Sequence, residues 1–150
     1  MKYENITEGR FLDRPNRFIA HVEIGGQIET VHVKNTGRCK ELLVPGAQVF
    51  LEKSGNPARK TAYDLVCVNK SGRLINMDSQ IPNKIVKEWL EQEKWNHNLH
   101  NQSDRIHGIT KIQPEYTYGK SRIDLYVEAQ NRKILIEVKG VTLEENGVVR

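Results

Sequence analysis

Polar and apolar residues alternate near the end of the chain in a pattern typical of a β-hairpin. Residues 119–140 read GKSRIDLYVEAQNRKILIEVKG, in which an alternating stretch is followed by an almost continuous apolar run. The pattern predicts a half-buried strand, a polar turn over residues 129–133 and a second strand buried on both faces. Asp124 lies in the first predicted strand and Glu137 in the second. Because an unpaired buried charge is costly, we expect each acid to have a partner.

A divalent metal ion is one partner that would satisfy both acids. Period-two alternation puts Glu137 and Lys139 on one face of the second strand. If the hairpin turns Asp124 to the same face, two hard oxygen ligands and an ammonium group converge there. Mg²⁺ or Mn²⁺ bound by Asp124 and Glu137 would polarise a phosphoryl group, while Lys139 would position the nucleophile or balance charge. Glu115, just before the hairpin, is either a third metal ligand or a surface acid.

The three residues Asp124, Glu137 and Lys139 resemble the signature of the restriction-endonuclease-like nucleases, known as PD-(D/E)XK. That signature is an acid, a variable hairpin, and then Asp or Glu, any residue and Lys. The sequence alone leaves a second interpretation open, in which the same charges form an exposed face of ion pairs.

Short alternating segments also fill the first half of the chain. Gly25 and Gly26 form a predicted two-residue hairpin turn, and Ile28 is out of phase with the later valines, which predicts a bulge near Glu29. The predicted strands cover residues 18–24, 28–34, 47–52, 61–69 and 74–77. Such a series predicts a small β-barrel of the OB type, a common platform for nucleic acid.

Helical spacing begins only after this series. Pro82 precedes a predicted helix with Asn83 as its N-cap, and Val86, Trp89 and Leu90 form its apolar stripe. A strand over residues 109–118 follows, before the acid-bearing hairpin. We therefore predict an α+β protein of two domains. The first is a barrel over residues 1–78, and the second is a mixed α/β domain over residues 79–150.

Composition narrows the class of protein. The 150 residues are 37% hydrophobic and 28% charged, which is typical of a globular protein and excludes a disordered tail. No apolar stretch approaches the roughly 20 residues that span a bilayer, and the N-terminus lacks a secretory signal. Cys39 and Cys67 fit no metal-binding spacing. We expect a cytoplasmic protein with two reduced thiols and no membrane partner.

The basic charge is concentrated in the first half of the chain. Residues 1–75 contain 12 Lys and Arg against 8 Asp and Glu, whereas residues 76–150 contain 11 of each, so the net charge of +4 lies in the first half of the chain. This division fits a barrel that contacts phosphates, although ordinary scatter would also produce it. The expected DNA contacts are polar residues on loops and strand ends: Arg14, Arg17, Asn35, Arg38, Asn56, Arg59, Lys60 and Arg122. The chain contains no helix-turn-helix pattern, so we expect weak sequence preference.

Taken as an ordered set, these segments resemble the sugar fermentation stimulation protein A family. The likeness is carried by residues 14–18, 35–38, 41–43, 45–47, Ser54, 56–57, 59–61, 82–83, Gly119, 121–122, Asp124, 137–139 and 141–143. The resemblance implies an OB-like domain followed by a restriction-endonuclease-like domain. It also implies DNA binding and a link to the control of sugar metabolism, notably of maltose. It does not settle whether the nuclease-like site is active.

One departure from the family affects the second domain. Family members continue well beyond the position that matches Arg150, so we expect this domain to be incomplete at its C-terminal end. Three functions remain open: a DNA-binding protein with a nuclease-like metal site, an active Mg²⁺- or Mn²⁺-dependent nuclease, and a non-catalytic structural or protein-binding module. No small-molecule cofactor is expected, and the oligomeric state is left open.

Overall fold

The structure is a computed structural model that describes residues 1–95, 106, 108–142, 144–145 and 148–149. It divides into two compact units. One comprises residues 2–79 and 141–150, and the other comprises Met1 and residues 80–140. Among the described residues, no helix is both long and apolar enough to cross a bilayer.

The first unit is built on one six-stranded sheet that closes on itself. Its strands are β1 (Ile6–Asp13), β2 (Ile19–Ile24), β3 (Gln27–Val33), β4 (Gln48–Lys53), β5 (Tyr63–Lys70) and β6 (Arg73–Asn76). Their order is β3-β2-β1-β4-β5-β6, and a parallel pairing of β3 with β5 closes the first five strands into a barrel. This confirms the predicted OB-like barrel. Its interior is filled by small branched side chains, including Val22, Val31, Val49, Leu51 and Val68.

Strand β1 was missed in the sequence because a glycine interrupts its alternation. Gly9 is buried, and a Cβ added there would lie 2.6 Å from Val22 Cγ1 and 2.9 Å from the Glu23 carbonyl oxygen. Only glycine allows the two strands to approach this closely. The residue that hides the strand in the sequence is therefore one that lets the barrel close.

The β2-β3 hairpin corrects a further prediction. Ile24 pairs with Gln27, so Gly25 and Gly26 form the two-residue turn that was expected. The bulge expected near Glu29 is wrong, because the register is regular from one end of the hairpin to the other. Ile28 lies on the outer face of the barrel and is 70% exposed. Its position out of phase with the buried valines is therefore compatible with a regular strand.

The second unit contains an antiparallel sheet of three strands and one helix. The strands are β7 (Ile109–Tyr118), β8 (Ser121–Ala129) and β9 (Arg132–Ile136), in the order β7-β8-β9, and the helix is α1 (Ile81–Trp95). Gln130 and Asn131, both with positive φ, form a tight turn between β8 and β9. Helix α1 begins two residues before the predicted N-cap, so Asn83 lies in its first turn.

Helix α1 covers one face of this sheet. Its Leu90 is fully buried and packs with Leu125, Val127 and Ile136. The prediction that the second hairpin strand is buried on both faces is wrong, because Leu135 points to the other face and is 44% exposed. The two remaining strands, β10 (Glu144–Glu145) and β11 (Val148–Val149), pair with each other.

Candidate functional site

Asp124 lies on the central strand of the three-stranded sheet and is held by two neutral donors. The Asn83 side-chain amide, in the first turn of α1, donates a 2.9 Å hydrogen bond to its Oδ1. The Val138 backbone amide, just past the end of β9, donates a 2.8 Å hydrogen bond to its Oδ2. A carboxylate fixed at both oxygens cannot rotate freely, so the helix and the sheet together set its direction.

Glu137 lies beside Asp124, as the hairpin register requires. Leu125 pairs with Ile136, so the next position along each strand brings Asp124 opposite Glu137. The two side chains interact directly. Lys139 completes the group, with its Nζ 3.6 Å from Glu137 Oε2 and its side chain 79% exposed. The structure therefore brings together the three residues that the sequence singled out.

The surroundings of Asp124 favour its ionised form. The hydrogen bond from the Val138 amide lowers its pKa most, and partial burial opposes that effect. Asn83, Glu137 and the charge of Lys139 lower the pKa further. Asp124 is thus an anion at neutral pH, stabilised largely by neutral hydrogen-bond donors.

Glu115 and Arg122 pair with each other. Their Oε1 and Nη2 atoms are 2.5 Å apart, and both side chains are about two-thirds exposed. Within the described residues, no group of three or more Asp, Glu, His or Cys side chains lies close enough to hold a metal ion. Glu115 therefore does not complete a three-acid cluster with Asp124 and Glu137.

The donor set can be compared with what a divalent cation requires. Mg²⁺ prefers oxygen ligands and is commonly bound by one or two carboxylates, with waters and substrate phosphates at its remaining positions. Asp124 and Glu137 supply two such carboxylates, and the Asn83 and Val138 donors each occupy only one of the two lone pairs on an Asp124 oxygen. The residues fit a two-carboxylate site for Mg²⁺ or Mn²⁺.

Arg14, expected to contact DNA, instead organises the loops of the barrel. Its Nη1 donates to the carbonyls of Gly37 and Arg38 at 2.7 and 3.0 Å. Its Nη2 donates to the carbonyls of Arg17 and Asn35, each at 2.6 Å. The guanidinium therefore joins two loops, and its terminal nitrogens are occupied by backbone.

Two expected DNA-contacting asparagines hold turns in place. Asn35 Oδ1 accepts a hydrogen bond from the Gly37 amide at 2.8 Å. Asn56 Oδ1 accepts one from the Ala58 amide at 3.0 Å. Both are local side-chain to backbone bonds of the kind that stabilise turns.

Arg59 belongs to a buried ion network at the closure of the barrel. It contacts both oxygens of Asp64, which is 5% exposed, at 2.6 and 3.0 Å. His32 Nδ1 and Lys34 Nζ lie 3.0 and 3.4 Å from the same carboxylate. Burial raises the pKa of Asp64, but the hydrogen bonds from Arg59 and His32 outweigh it and lower the pKa to about 2. The network links β3 to β5, so the role that the structure shows for Arg59 is to bind Asp64.

The cations that face solvent on the barrel are fewer than the sequence suggested. Arg17, Arg38 and Lys60 are exposed, and no hydrogen bond or ion pair of their side chains occurs among the described residues. Sequence reasoning missed Lys40, which lines the same cavity as Arg17 and Arg38. It also missed Phe18, which is 58% exposed directly after Arg17. An aromatic residue next to an arginine in a predicted loop was the available signal.

Fold and site together define a class of protein. It is an α+β protein in which an OB-type barrel precedes a sheet-and-helix unit that carries paired carboxylates. The family model described as the SfsA N-terminal OB domain matches residues 12–77. The model described as the sugar fermentation stimulation protein RE domain matches residues 80–150. The chain belongs to the sugar fermentation stimulation protein family.

Individual relatives agree with this assignment. A sugar fermentation stimulation protein homolog from Ruminiclostridium cellulolyticum is 56% identical over 148 residues, which cover 99% of this chain and 61% of the relative. A homolog from Desulfitobacterium hafniense is 57% identical and covers 99% of this chain and 60% of the relative. The chain thus spans about three-fifths of the length of these relatives.

A solved structure of a relative also matches. It is described as Pyrococcus furiosus SfsA in complex with Ca²⁺, and it superimposes with a TM-score of 0.78 at 28% identity. The match covers 97% of this chain and 58% of that chain. The shared fold therefore extends over nearly all of the sequence.

Proposed function

We propose that this protein binds DNA through its barrel and carries a metal-dependent phosphodiester site at Asp124, Glu137 and Lys139. The observation that carries the proposal is the contact between Asp124 and Glu137, which come from neighbouring strands, with Lys139 beside them. Two carboxyl groups in contact can both ionise only at a cost unless a cation joins them. The P. furiosus relative is described in complex with Ca²⁺, a cation that also takes oxygen ligands, and this supports a divalent-cation site here.

Each residue of the site has a distinct task in this proposal. Asn83 and the Val138 amide hold the Asp124 carboxylate in one orientation. Asp124 and Glu137 present oxygen ligands, and a bound Mg²⁺ or Mn²⁺ would polarise the phosphoryl group and lower the pKa of a water. The Lys139 ammonium offsets negative charge that develops on the phosphoryl oxygens.

The barrel contributes DNA affinity through exposed cations. Arg17, Arg38 and Lys60 offer charge to the phosphate backbone, and Phe18 offers a ring on which a base stacks. Because phosphate contacts carry no sequence information, the binding has little sequence preference. A cytoplasmic location and a link to sugar, notably maltose, metabolism remain predictions; the relatives' names support the second.

A metal titration tests the site directly. Calorimetry with Mn²⁺ is expected to show saturable binding to the chain and loss of that binding in Asp124→Asn. Glu91→Gln, which removes an exposed carboxylate from helix α1, serves as the matched control and should bind Mn²⁺ like the parent. Equal Mn²⁺ affinity in the parent and Asp124→Asn would refute the metal site.

Cleavage and DNA binding are measured separately. With Mn²⁺ the chain is expected to nick plasmid DNA, and Lys139→Ala should lose nicking while still binding Mn²⁺. DNA affinity should fall with salt by about 0.9 units of log-log slope per phosphate contact for duplex DNA. It should also survive Asp124→Asn, because the barrel does not contain that residue.

A second candidate is a DNA-binding protein without catalytic activity. Only two acids meet at the site within the described residues, and Glu115 is occupied by Arg122, which favours this candidate. Mn²⁺ binding without nicking under any divalent metal would support it over the nuclease.

A further inference from the structure

A cavity of about 620 Å³ lies at one end of the barrel. It is bounded by the end of β1, the loop over residues 14–17 and the segment over residues 38–45. All of its lining residues belong to the first unit, whereas Asp124 and Glu137 belong to the second. Its volume lies within the range of about 300–1,000 Å³ that is typical of small-molecule pockets.

The rim of the cavity is positively charged. Four cations line it, Arg14, Arg17, Arg38 and Lys40, against the single carboxylate of Asp13. That carboxylate already has a partner, because its Oδ1 is 2.8 Å from His21 Nδ1. An anion entering the cavity would therefore meet an excess of cations.

The charge of Arg14 is not neutralised by its own contacts. Its terminal nitrogens bond four carbonyl oxygens, which are neutral, and its buried Nε has no partner among the described residues. Arg14 thus adds a fixed positive charge to one wall. Arg17, Arg38 and Lys40 are exposed and free of described side-chain partners, so they can close on a ligand.

The floor of the cavity is apolar. Phe11 and Leu43 are almost fully buried beneath it, and Leu12 and Pro45 extend it. Asn16 is a polar lining residue, but its Oδ1 already accepts bonds from the amides of Phe18 and Ile19. Such a floor suits a flat ring better than the hydroxyl groups of a sugar.

We propose that this cavity binds a nucleoside monophosphate. The phosphate lies among Arg17, Arg38 and Lys40, and the base lies against the accessible apolar surface of Leu12 and Pro45, above the buried Phe11 and Leu43. The ligand is either a free mononucleotide or the phosphorylated terminal nucleotide of a DNA strand, since both present the same chemistry. This goes beyond backbone binding and does not depend on it, because a free nucleotide tests the cavity alone.

Titration with four small probes tests the two parts of the cavity. dAMP is expected to bind saturably at low salt, by calorimetry or by amide NMR shifts at the cavity. Deoxyadenosine, inorganic phosphate and ribose 5-phosphate should each bind at least about tenfold more weakly, since deoxyadenosine lacks the phosphate and the other two lack the base. The proposal is overturned if dAMP does not bind, or if ribose 5-phosphate or phosphate binds as tightly as dAMP.

Variants locate the binding on the rim. Arg38→Ala and Lys40→Ala should each weaken dAMP binding about tenfold, the usual effect of losing one charge-assisted hydrogen bond. Lys70→Ala, an exposed lysine of the same barrel outside the cavity, is the matched control and should not change the affinity. Thermal unfolding checks that the variants remain folded. Equal losses in all three variants would overturn the assignment of dAMP to the cavity.

Oligonucleotides distinguish the two sources and separate this inference from the proposed function. A 5′-phosphorylated strand that competes with dAMP better than the 5′-hydroxyl strand identifies a DNA end, and failure of both strands to compete identifies the free nucleotide. Equal competition by both strands would show that the cavity binds internal backbone phosphates and would overturn the proposal. Plasmid binding without dAMP binding overturns the cavity proposal and leaves the proposed function intact. Binding of dAMP without plasmid binding overturns the proposed DNA binding and leaves the cavity proposal intact.

Discussion

Asp64 of the barrel and Asp124 of the sheet-and-helix unit are both strand-borne acids that the fold ionises, yet their surroundings differ in charge. Asp64 is surrounded by the cations Arg59 and Lys34 and by His32, and it is almost fully buried. Asp124 is held by the neutral Asn83 amide and the Val138 backbone, and it lies beside a second acid.

The difference indicates what each acid can do. The cations around Asp64 neutralise its charge and occupy its oxygens, so it joins strands and has little left to offer a ligand. Neutral donors fix Asp124 without cancelling its charge, so its carboxylate can still attract a cation. A low pKa alone would not separate these two roles, whereas the identity of the hydrogen-bond donors does.

Replacing Asp64 should have the largest effect on stability. Asp64→Asn leaves Arg59, Lys34 and His32 without their carboxylate, and removal of one partner from a buried ion pair typically costs about 3–5 kcal/mol. Urea denaturation measures the free energy of unfolding. Asp13→Asn is the matched control, because Asp13 forms the same kind of Asp–His pair at the surface and should cost less than about 1 kcal/mol. Similar losses in both variants would contradict the structural role of Asp64.

Replacing Asn83 should lower the affinity for metal rather than the stability of the fold. Asn83→Ala removes a donor that orients Asp124, and loss of such a supporting contact typically weakens metal affinity about 10- to 100-fold. Mn²⁺ titration measures the affinity, and Gln92→Ala on the exposed side of the same helix is the control. Unchanged affinity in Asn83→Ala would mean that Asp124 needs no support from the helix.

Lowering the pH should destabilise the barrel because Asp64 becomes protonated. Its pKa is lowered from 3.8 to about 2 in the folded chain, so its stabilisation is complete above pH 4 and is lost as pH falls through about 2. The loss is on the order of 1–2 kcal/mol once solvent screening is allowed for. Unfolding free energies measured between pH 5 and pH 2 should fall less steeply in Asp64→Asn. A slope equal to that of the parent would exclude Asp64 as a source of the acid sensitivity.

Glu115 should have the smallest effect on the metal site. Because its carboxylate is paired with Arg122, Glu115→Gln should change Mn²⁺ affinity by less than about twofold, a free-energy difference of less than roughly 0.5 kcal/mol. Asp124→Asn, measured in the same titration, should abolish binding. A loss in Glu115→Gln comparable to that in Asp124→Asn would make Glu115 a third ligand.

The sequence predicted the positions of the acids and Lys139 better than it predicted the surroundings of the arginines. Asp124, Glu137 and Lys139 could be placed together because strand alternation and hairpin register are local rules. The arginines could not be sorted in this way. Arg14 and Arg59 look like Arg17 and Arg38 in the sequence, but distant carbonyls and the buried Asp64 occupy the first two.

Other features were also missed because their role depends on residues that are distant in the sequence. Strand β1 escaped prediction because Gly9 breaks its alternating pattern. The reason for a glycine at this position is evident only in the folded barrel, where Val22 of the next strand packs against it. Lys40 gained interest only when loops far apart in sequence were brought together around one cavity. The need for glycine at position 140 is likewise evident only in the folded chain, because an added Cβ would lie 2.8 Å from Pro82 Cγ in helix α1.

By itself, the sequence determined the α+β class, the order of barrel and sheet, and the pairing of two acids with a lysine. These depend on alternation and turn residues, which act over a few positions along the chain. Tertiary structure alone decided which charges are neutralised, which remain available to a ligand, and where a cavity forms. Those properties depend on side chains that are distant in sequence and meet only when the chain is folded.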